Sequence, residues 1–462
     1  MSTGTEPSAA PSPGAESSRR RARTRVLVVT GDVLGAKMAG PAIRAWEMAK
    51  ALHAVCDVRL VSTQGSTLQH GEFLVAAVDE AALRTLVDWC EVLVFQGYTL
   101  STFPWIRTTD TIIVADIYDP MHLEFLEQGK DHAPRNRVKQ TKYISEVLNV
   151  QLELADYMLC ASEKQRDFWL GHLASLARIN PPNYDRDPSL RQLLDVAPFG
   201  ISDTPAEHTR HAIKGAVPGI APDDQVIIWG GGIYNWFDPL TLIRAVAQLV
   251  DRHPKLRLYF LGVKHPNPEV PAMRMAAAAM QLADDLGLRD SHVFFNTEWV
   301  DYDDRVNYLL DADLGVSTHF EHVETAFSFR TRILDYLWAG LPIVATDGDT
   351  FAGLIREHEL GAVVAPEDVE GLALAIESVL YGPDLAATSG RVRTFGETFT
   401  WSRTLRPLID FCVAPAPAAD RELRSSPLRS QAKRYVGRLR HTTFWRHTEA
   451  QRTFLLRLAG RR

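Results

Sequence analysis

Short runs of strand-forming apolar residues, each followed by a stretch with helical apolar spacing, recur along this chain and then begin again after residue 224. "RVLVVTGD", "DVRLVST", "EVLVFQ" and "TIIVADIYD" fall in the first series; "QVIIWGGG", "LRLYFLGV", "HVFFN", "LGVST" and "LPIVAT" fall in the second. Strands this apolar throughout must be covered on both faces. Strand–helix alternation does so with a parallel sheet between two helical layers. The restart makes the fold α/β with two such units, and 462 residues are too many for one core.

The expected boundaries follow the texture. Residues 1–23, rich in Ser, Pro and Ala and ending in arginines, read as a disordered tail. A first Rossmann-like unit occupies 24–205, and the linker-like "HTRHAIKGAVPGIAPDD" leads to a second over 218–395. "VAPAPAAD" reads as a hinge, and the tail 414–462 is basic. A net charge of -7 gives no reason to expect nucleic acid as the main partner. Cys56, Cys90, Cys160 and Cys412 show no metal-ligand spacing, which fits a reduced, cytoplasmic setting without a disulfide framework. No run of about 20 apolar residues is present, so no membrane-spanning helix is expected.

In open parallel sheets, ligands bind beyond the carboxyl ends of the strands, and the chemistry-bearing motifs fall there. "SFRTRILDYLWAGLPIVAT" predicts a helix from about Phe329 to Ala339, closed by Gly340 and Pro342. Arg330 and Arg332 sit at its start, where the helix dipole disfavours a cation. Together with free backbone N–H groups, as at Ser328 and Thr331, they suit a diphosphate. Asp335, one turn on, suits vicinal ribose hydroxyls. The plain alternative is an Arg332–Asp335 surface pair, worth under about 1 kcal/mol. Gly230 to Gly232 end a strand and could bring backbone close to a ligand or simply make a tight turn. No dinucleotide fingerprint follows. In the first unit, Gly40-Pro41 opens a helix with Arg44 in its first turn, either another anion site or an exposed arginine. Asp116, Asp119 and His122 lie just past a strand, placed to orient an acceptor hydroxyl or to act as base; a structural hydrogen bond is the simpler role for the histidine. His319, Glu321, His322 and Glu324 precede the arginine helix. Their spacing fits no tetrahedral metal pattern, and carboxylates binding sugar hydroxyls are preferred.

In combination these segments resemble the family-4, retaining, nucleotide-sugar glycosyltransferases of the GT-B fold, over residues 24 to about 412. "ADYMLCASEK", "VAPFGIS", "ADLGVSTHF", "RILDYLWAGLPIVAT" and "LGAVVAPEDVEGLALAIESVL" match family motifs in order. The resemblance implies two facing Rossmann-like domains around a cleft. It also implies a segment, 396–413, that crosses back to the first, and a donor site in the second. There Gly231, Gly232, Lys264, Ser328, Arg330, Thr331, Arg332 and Asp335 would hold the donor. Asp116, Asp119, Glu324 and Arg332 would be catalytic, and Gly40, Arg44 and His122 would meet the acceptor. No metal or cofactor is expected. The chain departs from the family in three places. Phe327 replaces the first of two glutamates, so Glu324 substitutes. Gly232 and Phe237 replace a basic pair, so Arg330 and Arg332 inherit the neutralising role. Asp116 replaces a histidine.

The expected activity is sugar transfer from a nucleotide-diphosphate donor to a glycan, lipid-linked or small-molecule acceptor. The alternative is a non-catalytic nucleotide-binding protein or pseudo-enzyme of the same fold. Twelve cationic residues from Arg421 to Arg462, interleaved with Phe444, Trp445 and leucines, suggest peripheral contact with an anionic membrane surface. A solvated or docked tail is the competing reading.

Overall fold

A computed structural model describes residues 23–263 and 273–424. The first sheet has seven parallel strands: β1 (Arg25–Thr30), β2 (Asp57–Ser62), β3 (Leu74–Ala77), β4 (Val92–Gln96), β5 (Ile112–Asp116), β6 (Tyr157–Cys160) and β7 (Leu194–Val196). Their order is β3-β2-β1-β4-β5-β6-β7. The second has six: β8 (Gln225–Trp229), β9 (Leu256–Phe260), β10 (Val293–Phe295), β11 (Leu314–Ser317), β12 (Ile343–Thr346) and β13 (Gly361–Val364). These run in the order β10-β9-β8-β11-β12-β13, again parallel. Each order reverses once, between β1 and β4 and between β8 and β11, and each reversal opens a crevice at the strand ends. Central strands are buried throughout, as their uninterrupted apolar sequences require: Val26 to Val29, Val92 to Phe95 and Val226 to Trp229.

The crossing back to the first domain is made by two short helices, Trp401–Thr404 and Arg406–Val413. Phe411 stacks on Tyr157 at 4.3 Å, and Trp401 meets Phe199 at 4.8 Å. Entry to and exit from the second domain run side by side. Ile201 N–H donates to the Phe399 carbonyl (2.8 Å), and Trp401 N–H donates to that of Ile201 (2.9 Å). Gly200 is required here, because a Cβ would lie 2.6 Å from the Trp401 ring.

"VAPAPAAD" is not the loose hinge its composition suggests. Ala418 is buried in the first-domain core. Asp420, 1% exposed, accepts from Arg178 Nε (2.8 Å) and Asn180 Nδ2 (2.9 Å). Arg424 then reaches Asp156 at 2.8 Å. The segment is pinned at its far end, where Ala418 and Asp420 are buried while Ala414, Ala416 and Pro417 stay exposed. The remainder of the basic tail, 425–462, lies outside the described residues.

Candidate active site

Loops from the carboxyl ends of both sheets enclose a cleft of about 860 Å³, within the range of ordinary small-molecule sites. The first domain contributes Gly31 and Asp32 after β1, Gly97 and Tyr98 after β4, and the run Asp116 to Met121 after β5. The second contributes Gly230 to Gly232 after β8 and much of Ser328 to Asp335. Across the cleft's edges, Gln165 Nε2 donates to the Phe327 carbonyl (2.8 Å), Trp299 Nε1 to that of Met38 (3.1 Å), and the Tyr302 hydroxyl to Glu47 (3.1 Å).

The arginine helix runs Thr331–Ala339, with Gly340 left-handed at φ 71° as its C-terminal cap. No side chain caps its amino end. Tyr336 organises the wall behind it. Its hydroxyl donates to the Val316 carbonyl (2.8 Å) and accepts from Gly230 N–H (2.8 Å), while its ring lies where a Cβ on Gly315 would be, 2.4 Å away. Gly231 has φ +77°. The glycine run is therefore explained by packing and turn geometry, and it still lines the cleft.

Arg332 is 7% exposed. Its guanidinium lies 4.2 Å from the Trp229 ring and 4.1 Å from Phe237, and Nη2 donates to the Gly232 carbonyl (2.9 Å). Nη1 is buried without a partner, and no described carboxylate pairs with it. Desolvation, with the charge of Arg330 in the same direction, pushes its pKa down to about 10. This cation therefore stands in the space between positions 232 and 237, the two places where the resemblance leads one to expect basic residues.

Arg330 differs. Its Nη1 and Nη2 each donate to Glu324 at 2.8 Å, a buried bidentate pair. Expecting Arg330 to neutralise a diphosphate and Glu324 to hold a sugar overlooked that each is the other's partner. Asp335 also has its own cation, Arg305, at 3.2 Å, in place of the anticipated Arg332–Asp335 pair. Burial raises the Asp335 pKa and Arg305 opposes the rise. Ser328 Oγ donates to the Thr325 carbonyl, while Thr331 opens the helix; both face the cleft. Lys264 lies outside the described residues.

In the first domain the expectation for Arg44 is corrected. It is fully buried in the helix Gly40–His53, donating through Nε and Nη2 to Asp116 (2.6 and 2.8 Å) and through Nη1 and Nη2 to the carbonyls of Pro198 (3.0 Å) and Ala197 (2.8 Å). Asp116 also accepts from Gln96 Nε2 at 3.0 Å. Its carboxylate is committed to holding β5, Arg44 and Gln96 together and is not free to act as base. His122 likewise turns from the cleft. It stacks on Phe168 (5.5 Å) and meets Trp169 at a tilt (5.9 Å), and burial pushes its pKa down to about 4. It is a neutral packing residue, not an acceptor contact. Gly40 begins its helix at the cleft wall as read.

Asp119 does face the cleft, in company that sequence reasoning missed. Its carboxyl shares a hydrogen bond with Glu124, and burial pushes it up to about 6. Glu124 is raised well above the ordinary carboxylate range, by burial first and the neighbouring Asp119 and Glu324 charges next. The hydrogen bond and their mutual repulsion tie the two carboxyls together. Glu124 stands on the helix Met121–Gln128, one turn beyond Asp119, a spacing legible in "DPMHLE" but not singled out. Tyr234 and Trp236, stacked at 4.9 Å in the cleft wall after β8, were also overlooked.

The 319–324 cluster dissolves into structural roles. His319 is fully buried near Asp349 (3.6 Å), and His322 caps the short helix Val323–Phe327 by accepting from Thr325 N–H. Among the described residues, ligand-like spacing occurs at His208, His211 and Asp311, in and beside the interdomain linker. There Asp311 already accepts from Ala212 and Ile213 N–H as well as meeting both imidazoles. None of the three lines the cleft.

Residues 224–381 match the family described as Glycosyl transferases group 1. That match covers most of the second domain. The D-inositol 3-phosphate glycosyltransferase of Saccharomonospora viridis is 29% identical over 204 residues, 44% of this chain and 45% of that protein. The chain thus spans under half the length of this relative. Sucrose-phosphate synthase from Thermosynechococcus elongatus superposes with a TM-score of 0.61 at 14% identity, over 84% of this chain and 98% of the other. Anabaena HepE, solved with UDP and glucose, gives 0.56 at 14% identity over 85% and 99%. At such identities the likeness establishes the fold, which is GT-B. Among the described residues no helix is long and apolar enough to cross a membrane.

Proposed function

We propose that this chain transfers a sugar from a nucleoside diphosphate to an acceptor held by the first domain. The observation that carries the reading is Arg332, a buried guanidinium lining the cleft with one nitrogen unpartnered and no carboxylate against it. A charge desolvated without a counter-ion is costly in the empty protein. A pyrophosphate lying along the Gly230–Gly232 loop and the uncapped start of the Thr331–Ala339 helix would supply the missing anion. HepE, of like fold, was solved with UDP.

Breaking the bond between the sugar and the diphosphate places negative charge on the leaving oxygen. Arg332 and the helix-start N–H groups stabilise that charge as it develops. Asp335, neutralised by Arg305, is placed for the donor's ribose. Glu324 stays paired with Arg330 and is given no sugar contact. Asp119, near pKa 6, is the carboxyl suited to take the acceptor's proton. We read the transfer as retaining and metal-independent, with a cytoplasmic protein whose basic tail can touch anionic membrane. Arg332→Ala should cut kcat/KM by roughly 100- to 1,000-fold with an unchanged circular dichroism spectrum. Assays in chelator, with NMR of the product anomer, test the remainder. Intact turnover in Arg332→Ala would favour the second reading, a nucleotide binder without transfer, which the loss of the basic pair at Gly232 and Phe237 keeps in play.

A further inference from the structure

The two walls of the cleft carry opposite charge. Among the described residues, Asp32, Asp116, Asp119 and Glu124 are the charged side chains that the first domain contributes to the lining, and all four are acidic. Arg305, Arg330 and Arg332, the cations of the lining, all come from the second domain. Two of these are already matched, by Asp335 and Glu324, which leaves Arg332 for the donor's diphosphate. Among the described residues, nothing cationic on the acceptor wall lines the cleft to receive a second phosphate.

We infer that the acceptor is an uncharged polyhydroxyl compound, a sugar or glycoside without phosphate at the end that enters this cleft. This rests on the transferase reading and adds the acceptor class to it. The wall's chemistry suits hydroxyls. Asp119 and Glu124, joined by a hydrogen bond, leave carboxyl oxygens that accept from hydroxyls. Gln128 and Gln140 add amides beside them, and the exposed Tyr98 ring offers an apolar face to a pyranose. An anion would meet like charge in a partly desolvated space, where repulsion is least screened. The S. viridis relative, by contrast, is named for a phosphorylated acceptor.

The test uses the full chain with the nucleotide sugar whose diphosphate most raises its melting temperature. Acceptors are offered in pairs differing by one phosphate: myo-inositol with its 3-phosphate, glucose with its 6-phosphate, mannose with its 6-phosphate. Transfer is followed by mass spectrometry. Within pairs that are used, kcat/KM should favour the neutral member by at least about 100-fold. Asp119→Asn should narrow that ratio about tenfold, and Asp32→Asn, a second variant at a separate place on the wall, should narrow it in the same direction. Equal or better use of the phosphorylated member, or a ratio unmoved in both variants, overturns the inference. Failure of any nucleoside diphosphate to bind, read from the same thermal shifts, instead overturns the transferase reading and removes the basis of this one.

Discussion

Arg44 and Arg332 look alike in the sequence, each in the first turn of a helix that follows a strand-end loop, where the dipole disfavours a cation. The structure separates them. Arg44 has a bidentate carboxylate and two carbonyls, so its charge is consumed inside the first domain. Arg332 has one carbonyl, two aromatic faces and an orphaned nitrogen. A misplaced arginine therefore signals a ligand only when the fold provides no counter-charge. Arg330, paired to Glu324, makes the same point from two residues away.

The contrast can be broken by mutation. The largest effect is expected at Arg44→Met, which leaves the Asp116 carboxylate buried and unpaired. Denaturant titration should find a loss of about 3–5 kcal/mol. Next, Arg332→Met in the absence of ligand should leave stability unchanged or raise it by about 1 kcal/mol, since it removes a buried charge that has no counter-ion among the described residues. The same variant should lose the stabilisation that a nucleoside diphosphate gives the parent chain, about 2.7 kcal/mol at 100 times its Kd. If both arginine variants lose stability alike, the two sites are equivalent and the comparison fails.

The smallest effect concerns Asp119. Burial lifts its pKa from an ordinary 3.8 to about 6, so folding favours the protonated form. That stabilisation is whole below pH 3.8 and drains away as pH rises through 6. Melting temperature should decline between about pH 4 and 6 in the parent chain and decline less in Asp119→Asn. Identical slopes would show that folding does not raise the Asp119 pKa.

Much of the fold was legible in the sequence because parallel sheets covered on both faces leave uninterrupted apolar runs. The strand cores 26–29, 92–95 and 226–229 show it directly. The helix Thr331–Ala339 and its Gly340 cap were legible from local chemistry alone. Pairing was not. Arg44 and Asp116 are 72 residues apart, Arg178 and Asp420 are 242 apart, and neither partner's local sequence points to the other. His122 failed for a related reason, since its ring is turned toward Phe168 and Trp169 on a helix more than 40 residues on. Composition misled at "VAPAPAAD", whose end is anchored by buried Ala418 and Asp420.

The single bridge between Ile201 and Phe399–Trp401 has a mechanical consequence. Because the outgoing and returning strands are stitched together where they leave the first domain, the second domain hangs from one doubled stem. Sliding along that stem would tear both backbone hydrogen bonds and drive Trp401 into the backbone at Gly200, so any relative movement of the domains has to pivot there, like a door with the arginine-bearing wall as its inner face.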